Sequence, residues 1–342
     1  MSTAGGDRDC VVVGAGSVGL NLAARLRRSG AGVLVVTRRP ETAEALSREG
    51  VRLSDPAAGS GFSASVESVC GWESLPPERL SGIVLLCMRQ DDLDEAAGAL
   101  FHRQPRATPV CVQNGVGHEA RLARRFDRVL GLVVRQTCTR DEAVGVRALG
   151  PGRLVVGAAR ESRDLPGALA RRDALATSLA AAGFDTALTP HLEADRWLKL
   201  CVNLMSAPNA LVRREDHATP AFVELKARLL EEARRALAAG GVEASSCDGR
   251  DRSLDAEIAH QRSSLERGTS ARALPVYNSV WTALRAGGPL ESPRFHRRIV
   301  ELAERHGRTA PLNRRMIDVL ERCAREHLGP ECVTAAELLG GD

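Results

Sequence analysis

Residues 10–19 read CVVVGAGSVG, and they give the strongest indication of how the chain folds. Its four leading apolar residues predict a short buried strand, and LNLAARLRRSG (20–30) predicts a helix that ends at Gly30. Between them, Gly14 would allow a tight turn, Gly16 would let a pyrophosphate approach the backbone, and Gly19 would let the helix sit close to the sheet. A purely structural glycine-rich turn is the simpler alternative. We favour a dinucleotide-binding turn formed by Gly14, Ala15, Gly16, Ser17, Val18 and Gly19.

Further apolar runs alternate with helix-compatible segments in the first half of the chain. Strands are predicted at 32–36, 83–88, 109–112 and 129–134, with helices at 91–100 and 117–126 between them. Continuous apolar strands separated by helices predict an α/β fold, a Rossmann-type doubly wound parallel sheet covered on both faces. Residues 143–158 differ and predict a hairpin around Gly150-Pro151-Gly152.

The end of the second strand bears on cofactor choice. An NAD site usually has Asp or Glu there, to accept from the ribose hydroxyls. This chain has VVTRRPE, with Arg38 and Arg39 at that place. Two guanidiniums suit a 2′-phosphate, so we expect NADPH or NADP⁺, with Arg38 as first choice. The alternative is two solvated arginines in an arginine-rich chain.

Composition excludes several classes of protein. The 342 residues suggest two domains, and the net charge of +4 is spread in singlets and pairs rather than in a basic tract, which argues against nucleic-acid binding. No apolar run approaches the roughly 18 residues of a membrane span, and the N-terminus is too polar for a signal peptide. Nine cysteines without a CxxC pair suggest thiols in a cytoplasmic protein, and no cluster has metal-ligand spacing.

From about residue 188 the pattern becomes helical. Helices are predicted at 191–212, 219–240, 252–268, 272–287, 292–306 and 311–327. We therefore expect domain 1–188 to bind the dinucleotide and helical domain 189–342 to carry substrate and catalytic residues, with substrate in the cleft between them. Leu/Ala faces in the second domain would form either its own core or a homodimer.

Only two lysines occur in the chain, Lys199 and Lys226. A partly buried lysine can act as an acid or base, whereas arginine keeps its proton. Lys199 and Asn203 are four residues apart in the helix DRWLKLCVNLMSAPNAL and share one face. The pair could hold and protonate a carbonyl oxygen. Equally, Lys199 could be a surface lysine whose stem covers apolar residues.

Together these features resemble the ketopantoate reductase (2-dehydropantoate 2-reductase) family. The resemblance runs from Cys10 to about Leu328. It rests on GAGSVG (14–19), VQNGVG (112–117), WLKLCVN (197–203), and YNSVWTALRAGGPLES (277–292) followed by IVELAERHGRTAPLN (299–313). It implies a C-terminal domain like that of 6-phosphogluconate dehydrogenase.

The resemblance also implies roles for individual residues. NADPH would deliver hydride to the ketone of a 2-oxo acid, and Lys199 would be the general acid. Asn203 would bind the substrate hydroxyl or ketone, Ser279 its carboxylate, and Glu291 a substrate hydroxyl while orienting Lys199. Asn114 would lie near the nicotinamide ribose and Lys199, where it would contact cofactor and substrate, and Arg89 would lie near the cofactor phosphate. In each case a plain structural role competes: Asn114-Gly115 as a turn, Ser279 as a helix cap, and Glu291 as the residue before a helix.

The chain departs from the family beyond the glutamate. Pro293 stands where an acid is usual, His296-Arg297 where the family has Asn-Gly, and Ser206 and Ala207 where a second asparagine is common. The segment 242–275 is also longer and more charged than expected. We therefore keep open a different keto or cyclic imine substrate, and a non-catalytic dinucleotide sensor as a third hypothesis. His296 and His306 are expected to be surface or capping residues.

Overall fold

The structure is a computed structural model that describes residues 9–56, 59–141, 143–150, 152–263 and 277–340. The chain divides into two compact units, Met1–Glu193 and Ala194–Asp342. The boundary predicted from the sequence, 188/189, falls inside a strand, Asp185–Thr189.

The first unit is an α/β structure. Its strands, in chain order, are β1 Cys10–Val13, β2 Val33–Thr37, β3 Val51–Asp55, β4 Ser60–Ala64, β5 Glu67–Cys70, β6 Ile83–Leu86, β7 Thr108–Cys111, β8 Leu130–Arg135, β9 Cys138–Arg140, β10 Gly145–Ala148, β11 Arg153–Ala158 and β12 Asp185–Thr189. Its helices are α1 Ser17–Arg28, α2 Pro40–Glu49, α3 Leu93–Arg103, α4 His118–Leu122 and α5 Pro166–Ala181, with 3-10 turns at Pro77–Ser81 and Gln90–Asp92.

Eight strands form the main sheet, in the order β12-β11-β8-β7-β6-β1-β2-β5. Neighbouring strands are parallel except β8 and β11, which run antiparallel, so the sheet is mixed towards one edge. In β1, Val12 belongs to an apolar layer with Leu20 and Leu26 of α1. Val11 and Val13 belong to a second apolar layer, on the α3 side. Helices therefore cover both faces, and the predicted Rossmann-type fold is confirmed.

The predicted hairpin over 143–158 is wrong. β10 pairs with β3 and β9 in a separate four-stranded sheet, β4-β3-β10-β9, whereas β11 pairs with β8 and β12 in the main sheet. Gly150 and Gly152 both have left-handed φ, of 70° and 75°, and Pro151 lies outside the described residues. β11 is buried along almost its whole length and so needs neighbours on both edges in the large sheet. The local turn signal cannot show this.

The second unit is helical. It comprises most of α6 Leu192–Leu204, then α7 Ser206–Leu211, α8 Pro220–Ala239, α9 Leu254–Arg262, α10 Ser279–Ala286, α11 Ser292–Arg305, α12 Pro311–Glu326 and α13 Ala335–Leu339, with a 3-10 turn at Arg214–Ala218. The helix predicted over 191–212 is interrupted at Met205. Residues 264–276, which include the end of one predicted helix and the start of another, lie outside the described residues. Among the helices that the structure describes, none is long and apolar enough to cross a membrane.

Candidate functional site

The carboxyl ends of four strands line up in the main sheet. Val13 of β1 is in register with Val36 of β2 and with Leu86 of β6, and Leu86 is in register with Cys111 of β7. The residues that follow these strands therefore lie along one edge. They are the glycine turn 14–19, Arg38 and Arg39, Arg89, and the loop that carries Asn114. In open α/β sheets generally, ligands bind at the carboxyl ends of the strands.

The three glycines of the turn meet different requirements. Gly14 has a φ of 111°, and a Cβ there would lie 2.8 Å from the Met88 backbone nitrogen. A Cβ on Gly19 would lie 2.1 Å from the Gly14 carbonyl oxygen. Gly16 is exposed, and a Cβ on it would meet nothing within 4 Å. Packing within the protein thus explains Gly14 and Gly19 but does not explain Gly16.

The start of α1 suits a phosphate. Gly16 is the N-cap, no side chain caps the helix, and the first turn contains no acidic residue. The N–H groups of the first turn and the helix dipole both favour an anion at this place.

The predicted arginines lie beside acidic residues. Arg38 forms an ion pair with Asp92 at 3.2 Å while its side chain stays 82% exposed, and Arg89 forms one with Asp91 at 3.3 Å. Such exposed pairs are weak, so a phosphate can compete for these guanidiniums. Arg39 is the exposed N-cap residue of α2.

Arg140 of β9 is a basic residue that the sequence reasoning missed. Burial, followed by the positive charge of Arg39, lowers the pKa of Arg140. The two guanidiniums are therefore close enough to repel each other, which an anion would relieve. Arg140 and Arg39 are about a hundred residues apart in the chain and come together only in the fold, so no local signal could have found Arg140.

The loop that carries Asn114 is tied to the neighbouring strand end. The Gln113 side chain donates to the Leu86 and Met88 carbonyl oxygens at 2.7 and 3.0 Å. His118 Nε2 lies 2.9 Å from the Asn114 carbonyl oxygen. Gly115 and Gly117 have φ of 101° and 83°, which supports the turn. Asn114 itself is half-buried, and Gln113 and His118 are the positioning residues that the sequence reasoning did not single out.

In the second unit, Lys199 and Asn203 are both half-buried on α6, among the buried residues Trp197, Leu198 and Leu200. One turn before Lys199 lies Asp195, which is only 1% exposed. Its Oδ1 accepts from the Cys247 backbone N–H at 3.1 Å, so the segment after α8 is anchored to the start of α6. Asp195 is a further residue that sequence reasoning missed.

The start of α10 is held at the junction of α6 and α7. The Asn278 side chain accepts from the Trp281 N–H at 2.9 Å and donates to the Ser206 carbonyl oxygen at 2.8 Å. Asn278, not Ser279, therefore caps α10, and Ser279 is exposed in its first turn. Ser279 therefore lies close to the junction of α6 and α7, about one helical turn beyond Asn203.

Glu291 is half-buried at the N-cap position of α11, and its side chain makes no capping hydrogen bond there. Glu291 is therefore the residue directly before a helix, as the structural alternative expected, although its side chain does not cap that helix. Its neighbour Pro293 is buried in the first turn of α11.

The family departures at His296 and Arg297 have structural explanations. His296 is completely buried, with Nδ1 2.8 Å from Asn313 Oδ1, so the expectation of a surface or capping role is wrong for this residue. Arg297 forms an exposed ion pair with Glu321 at 2.7 Å. His306, by contrast, is exposed at the C-cap of α11, as expected. The His-Arg pair therefore gives little support for an unusual substrate.

Across the residues that the structure describes, no group of three or more His, Cys, Asp or Glu side chains is placed to hold a metal ion.

Two models of one protein family match this chain, one in each half. The family model for "Ketopantoate reductase PanE/ApbA" matches residues 10–161, and that for its C-terminal part matches residues 191–324. No curated protein matches the chain by sequence.

Three solved structures illustrate the likeness of fold. A D-mandelate dehydrogenase with NADH and anilino(oxo)acetate is 16% identical, with a TM-score of 0.76 over 93% of this chain and 99% of that one. A PanE/ApbA family ketopantoate reductase from Ralstonia eutropha JMP134 is 22% identical, with a TM-score of 0.73 over 93% and 99%. A 2-dehydropantoate 2-reductase from Methylococcus capsulatus is 20% identical, with a TM-score of 0.71 over 93% and 97%. From the two family matches, which together span most of its length, this chain belongs to the ketopantoate reductase PanE/ApbA family of oxidoreductases.

Proposed function

We propose that the protein reduces a 2-oxo acid, ketopantoate or a close analogue, with NADPH as the hydride donor. The observation that carries the proposal is the alignment of four strand ends, which gathers the glycine turn, the arginines and the Asn114 loop along one edge of the sheet. Family membership supplies the reaction class.

The dinucleotide fits the residues present. The α1 N-terminus and Gly16 would hold the pyrophosphate, since Gly16 leaves open space where a Cβ would lie. Arg38, Arg39 and Arg89 would hold phosphate groups, and Arg140 adds positive charge beside Arg39. When bound, NADPH supplies a hydride to the ketone carbon.

The chain's own residues would manage the developing negative charge. Lys199 would stabilise the oxygen of the ketone by its charge and then donate a proton to it from Nζ. Asn203, one turn along α6, would hydrogen-bond the same end of the substrate, and Ser279 would bind its carboxylate. Glu291 would orient Lys199 and accept from a substrate hydroxyl.

NADPH is favoured over NADH because arginines, and no acid, occupy the two positions directly after β2. An NAD site would use such an acid to bind the ribose hydroxyls, whereas Arg38 and Arg39 suit a 2′-phosphate. The similar D-mandelate dehydrogenase is bound to NADH, so both cofactors belong in the assay.

A second candidate is a relative that reduces a different 2-oxo acid or an imine. The likeness to a D-mandelate dehydrogenase holding anilino(oxo)acetate favours testing 2-oxo acids that carry an aromatic ring. A non-catalytic dinucleotide sensor is the third candidate, and it would need no lysine at position 199.

The test is NADPH oxidation by the full chain with ketopantoate and with aromatic 2-oxo acids. Lys199→Ala should lower kcat by about 10²–10⁴, the usual value of a positioned general acid. Lys226→Arg is the matched control, because Lys226 is the only other lysine and its ammonium lies 4.6 Å from the Phe222 ring centroid on α8. It should leave kcat within a few-fold.

The outcomes separate the three candidates. Turnover of ketopantoate that Lys199→Ala abolishes supports the first, and turnover confined to other oxo acids supports the second. NADPH binding without turnover of any substrate supports the sensor. Full activity in Lys199→Ala would contradict the role proposed for the lysine.

A further inference from the structure

Two cysteines lie in direct contact near the C-terminus. Cys323 Sγ is 3.4 Å from Cys332 Sγ, and no disulfide joins them. Cys323 belongs to α12 and is 1% exposed, whereas Cys332 is half-buried in the segment that follows this helix. The sulfurs need to approach only from this distance to about 2.05 Å to form a disulfide.

The chain path between them holds the two thiols together. After α12, His327 and Glu331 adopt φ of 53° and 60°, and they are the only non-glycine residues with positive φ in the described ranges. The Leu328 N–H donates to the Cys323 carbonyl oxygen at 3.1 Å. The chain therefore turns back on the helix within a few residues and returns Cys332 to Cys323.

Backbone bonds on both sides fix Cys332 in this position. The Glu331 N–H donates to the Ala210 carbonyl oxygen at 2.9 Å, and the Val333 N–H donates to that of Leu211 at 3.1 Å. Val333 also forms a parallel bridge with Val212. We call residues 328–334 the C-terminal strap. Because the strap is anchored next to the thiol, the sulfur contact follows from the fold.

We propose that Cys323 and Cys332 form an oxidation site, at which a hydroperoxide such as hydrogen peroxide converts the thiol pair into a disulfide. Cys332 reacts first, because it is the more accessible thiol. Burial, then the hydrogen bond and the charge of Cys332, raise the pKa of Cys323 to about 12, which disfavours its thiolate.

The chemistry balances in two steps. The Cys332 thiolate attacks one peroxide oxygen, an S–O bond forms as the O–O bond breaks, and hydroxide takes up a proton to leave as water. The Cys323 sulfur then attacks the sulfenic sulfur, an S–S bond forms as the S–O bond breaks, and a second water leaves with the Cys323 proton. The two thiols lose two electrons and the peroxide gains them.

The strap also touches α10. Glu331 Oε1 accepts from Trp281 Nε1 at 3.0 Å and lies 3.7 Å from Arg214 Nε. The Trp281 ring packs against the Tyr277 ring, with their centroids 3.8 Å apart, and α10 starts at Ser279. A disulfide that draws Cys332 towards α12 should weaken the contacts of its neighbour Glu331. Oxidation should therefore raise the KM for the 2-oxo acid several-fold, and this last step rests on the proposed function.

The test of the oxidation site needs no activity. The full-length protein is treated with graded hydrogen peroxide, alkylated, and digested with trypsin without reduction. Arg322 and Arg325 let trypsin separate the two cysteines into peptides 323–325 and 326–342. We expect these peptides joined, with the loss of two hydrogens, and separated again by dithiothreitol.

Cys247→Ser is the matched control, because it removes the exposed cysteine and should leave the cross-link intact. Cys332→Ser should abolish the cross-link. If this variant does not fold, the peptide map of the wild-type protein still shows whether the disulfide between Cys323 and Cys332 forms. Oxidation of Cys247 without any 323–332 cross-link would overturn the oxidation site. A cross-link with an unchanged KM would contradict the coupling to α10 but not the oxidation site. Absence of any turnover would contradict only the proposed function.

Discussion

Gly16 and Gly19 of the glycine turn show how differently two residues of one motif are constrained. A Cβ on Gly19 would strike the Gly14 carbonyl oxygen at 2.1 Å, whereas Gly16 faces open space. The motif could be read from the sequence. The sequence could not show which glycine is required by packing and which is not, because that depends on Cys87 and Met88 after β6 and on the turn itself.

The two glycines should therefore respond differently to alanine. Gly19→Ala should lower the free energy of unfolding by about 1–3 kcal/mol, because backbone must shift to admit the methyl group. Gly16→Ala should cost less than about 1 kcal/mol but should raise the Kd for NADPH, since the methyl group would occupy the place proposed for the pyrophosphate. Urea unfolding and fluorescence titration measure the two effects. Equal loss of stability in both variants would contradict this division.

His296 provides a second prediction at the scale of a residue. Burial lowers its pKa to about 4, against 6.5 for an ordinary histidine, and the hydrogen bond to Asn313 offsets this only in part. The folded state thus keeps His296 neutral while the unfolded state takes up a proton below pH 6.5. The contribution of His296 to the free energy of unfolding is therefore fully present above pH 6.5. It falls as the pH drops from 6.5 to about 4, and the total loss is up to about 3 kcal/mol.

The measurement is urea unfolding at a series of pH values between 4 and 7 for the wild type and for His296→Gln, which keeps a donor for Asn313. In His296→Gln, the fall in the free energy of unfolding that we assign to His296 should be absent. His306→Gln, at an exposed histidine, should retain it. An identical slope in all three proteins would contradict the assignment.

At the scale of elements, α12 begins without a cap of its own. Its first-turn amides are satisfied instead by Glu232 of α8, whose carboxylate accepts from the Leu312 and Asn313 N–H groups, both at 2.9 Å. The Asn313 side chain also donates to this carboxylate at 2.9 Å. The sequence predicts α8 and α12 from their periodicity. It could not predict that one caps the other, since the residues are about eighty positions apart.

Removal of this cap should be costly. Glu232→Ala leaves two buried N–H groups without an acceptor and should lower the free energy of unfolding by about 3 kcal/mol or more. Glu304→Ala removes an exposed carboxylate that pairs with Arg314, and should cost less than about 1 kcal/mol. Denaturant unfolding of both variants gives the comparison. A small effect at Glu232 would show that α12 does not depend on this contact.

The strands illustrate the same limit of sequence reasoning. β1, β2, β6, β7 and β8 were all predicted within two residues of their observed ends, because they are continuous apolar runs. The polar strands of the small sheet were missed, and the hairpin predicted over 143–158 was wrong. Those strands are exposed on one side and owe their pairing to partners far away in sequence.

At the scale of the whole molecule, cofactor binding should stabilise the folded chain. If the proposed NADPH site is correct, NADPH at 100 times its Kd should add about 2.7 kcal/mol to the free energy of unfolding. NADH at the same concentration should add less. Thermal unfolding with each cofactor measures this, and equal shifts would contradict the preference for NADPH.

The arginines at the end of β2 should account for that preference. The double variant Arg38→Ala, Arg39→Ala should bind NADPH at least about tenfold more weakly, a loss of about 1.4 kcal/mol, with NADH binding little changed. Arg140→Ala should also weaken the binding of NADPH and leave the binding of NADH little changed. Arg305→Ala, an exposed arginine of α11, is the control and should change neither affinity. Loss of both cofactors together would instead indicate damage to the fold.

The amino-acid sequence alone was enough to predict the two-part organisation, the Rossmann turn and the placement of Lys199 and Asn203 on one helical face. These features depend on local periodicity and on residues close together in the chain. Four contacts are visible only in the folded chain: Arg140 lies near Arg39, Asp195 anchors the segment of Cys247, Glu232 caps α12, and Cys323 meets Cys332. Each of these depends on backbone turns and long-range packing, which bring together groups that no local pattern relates.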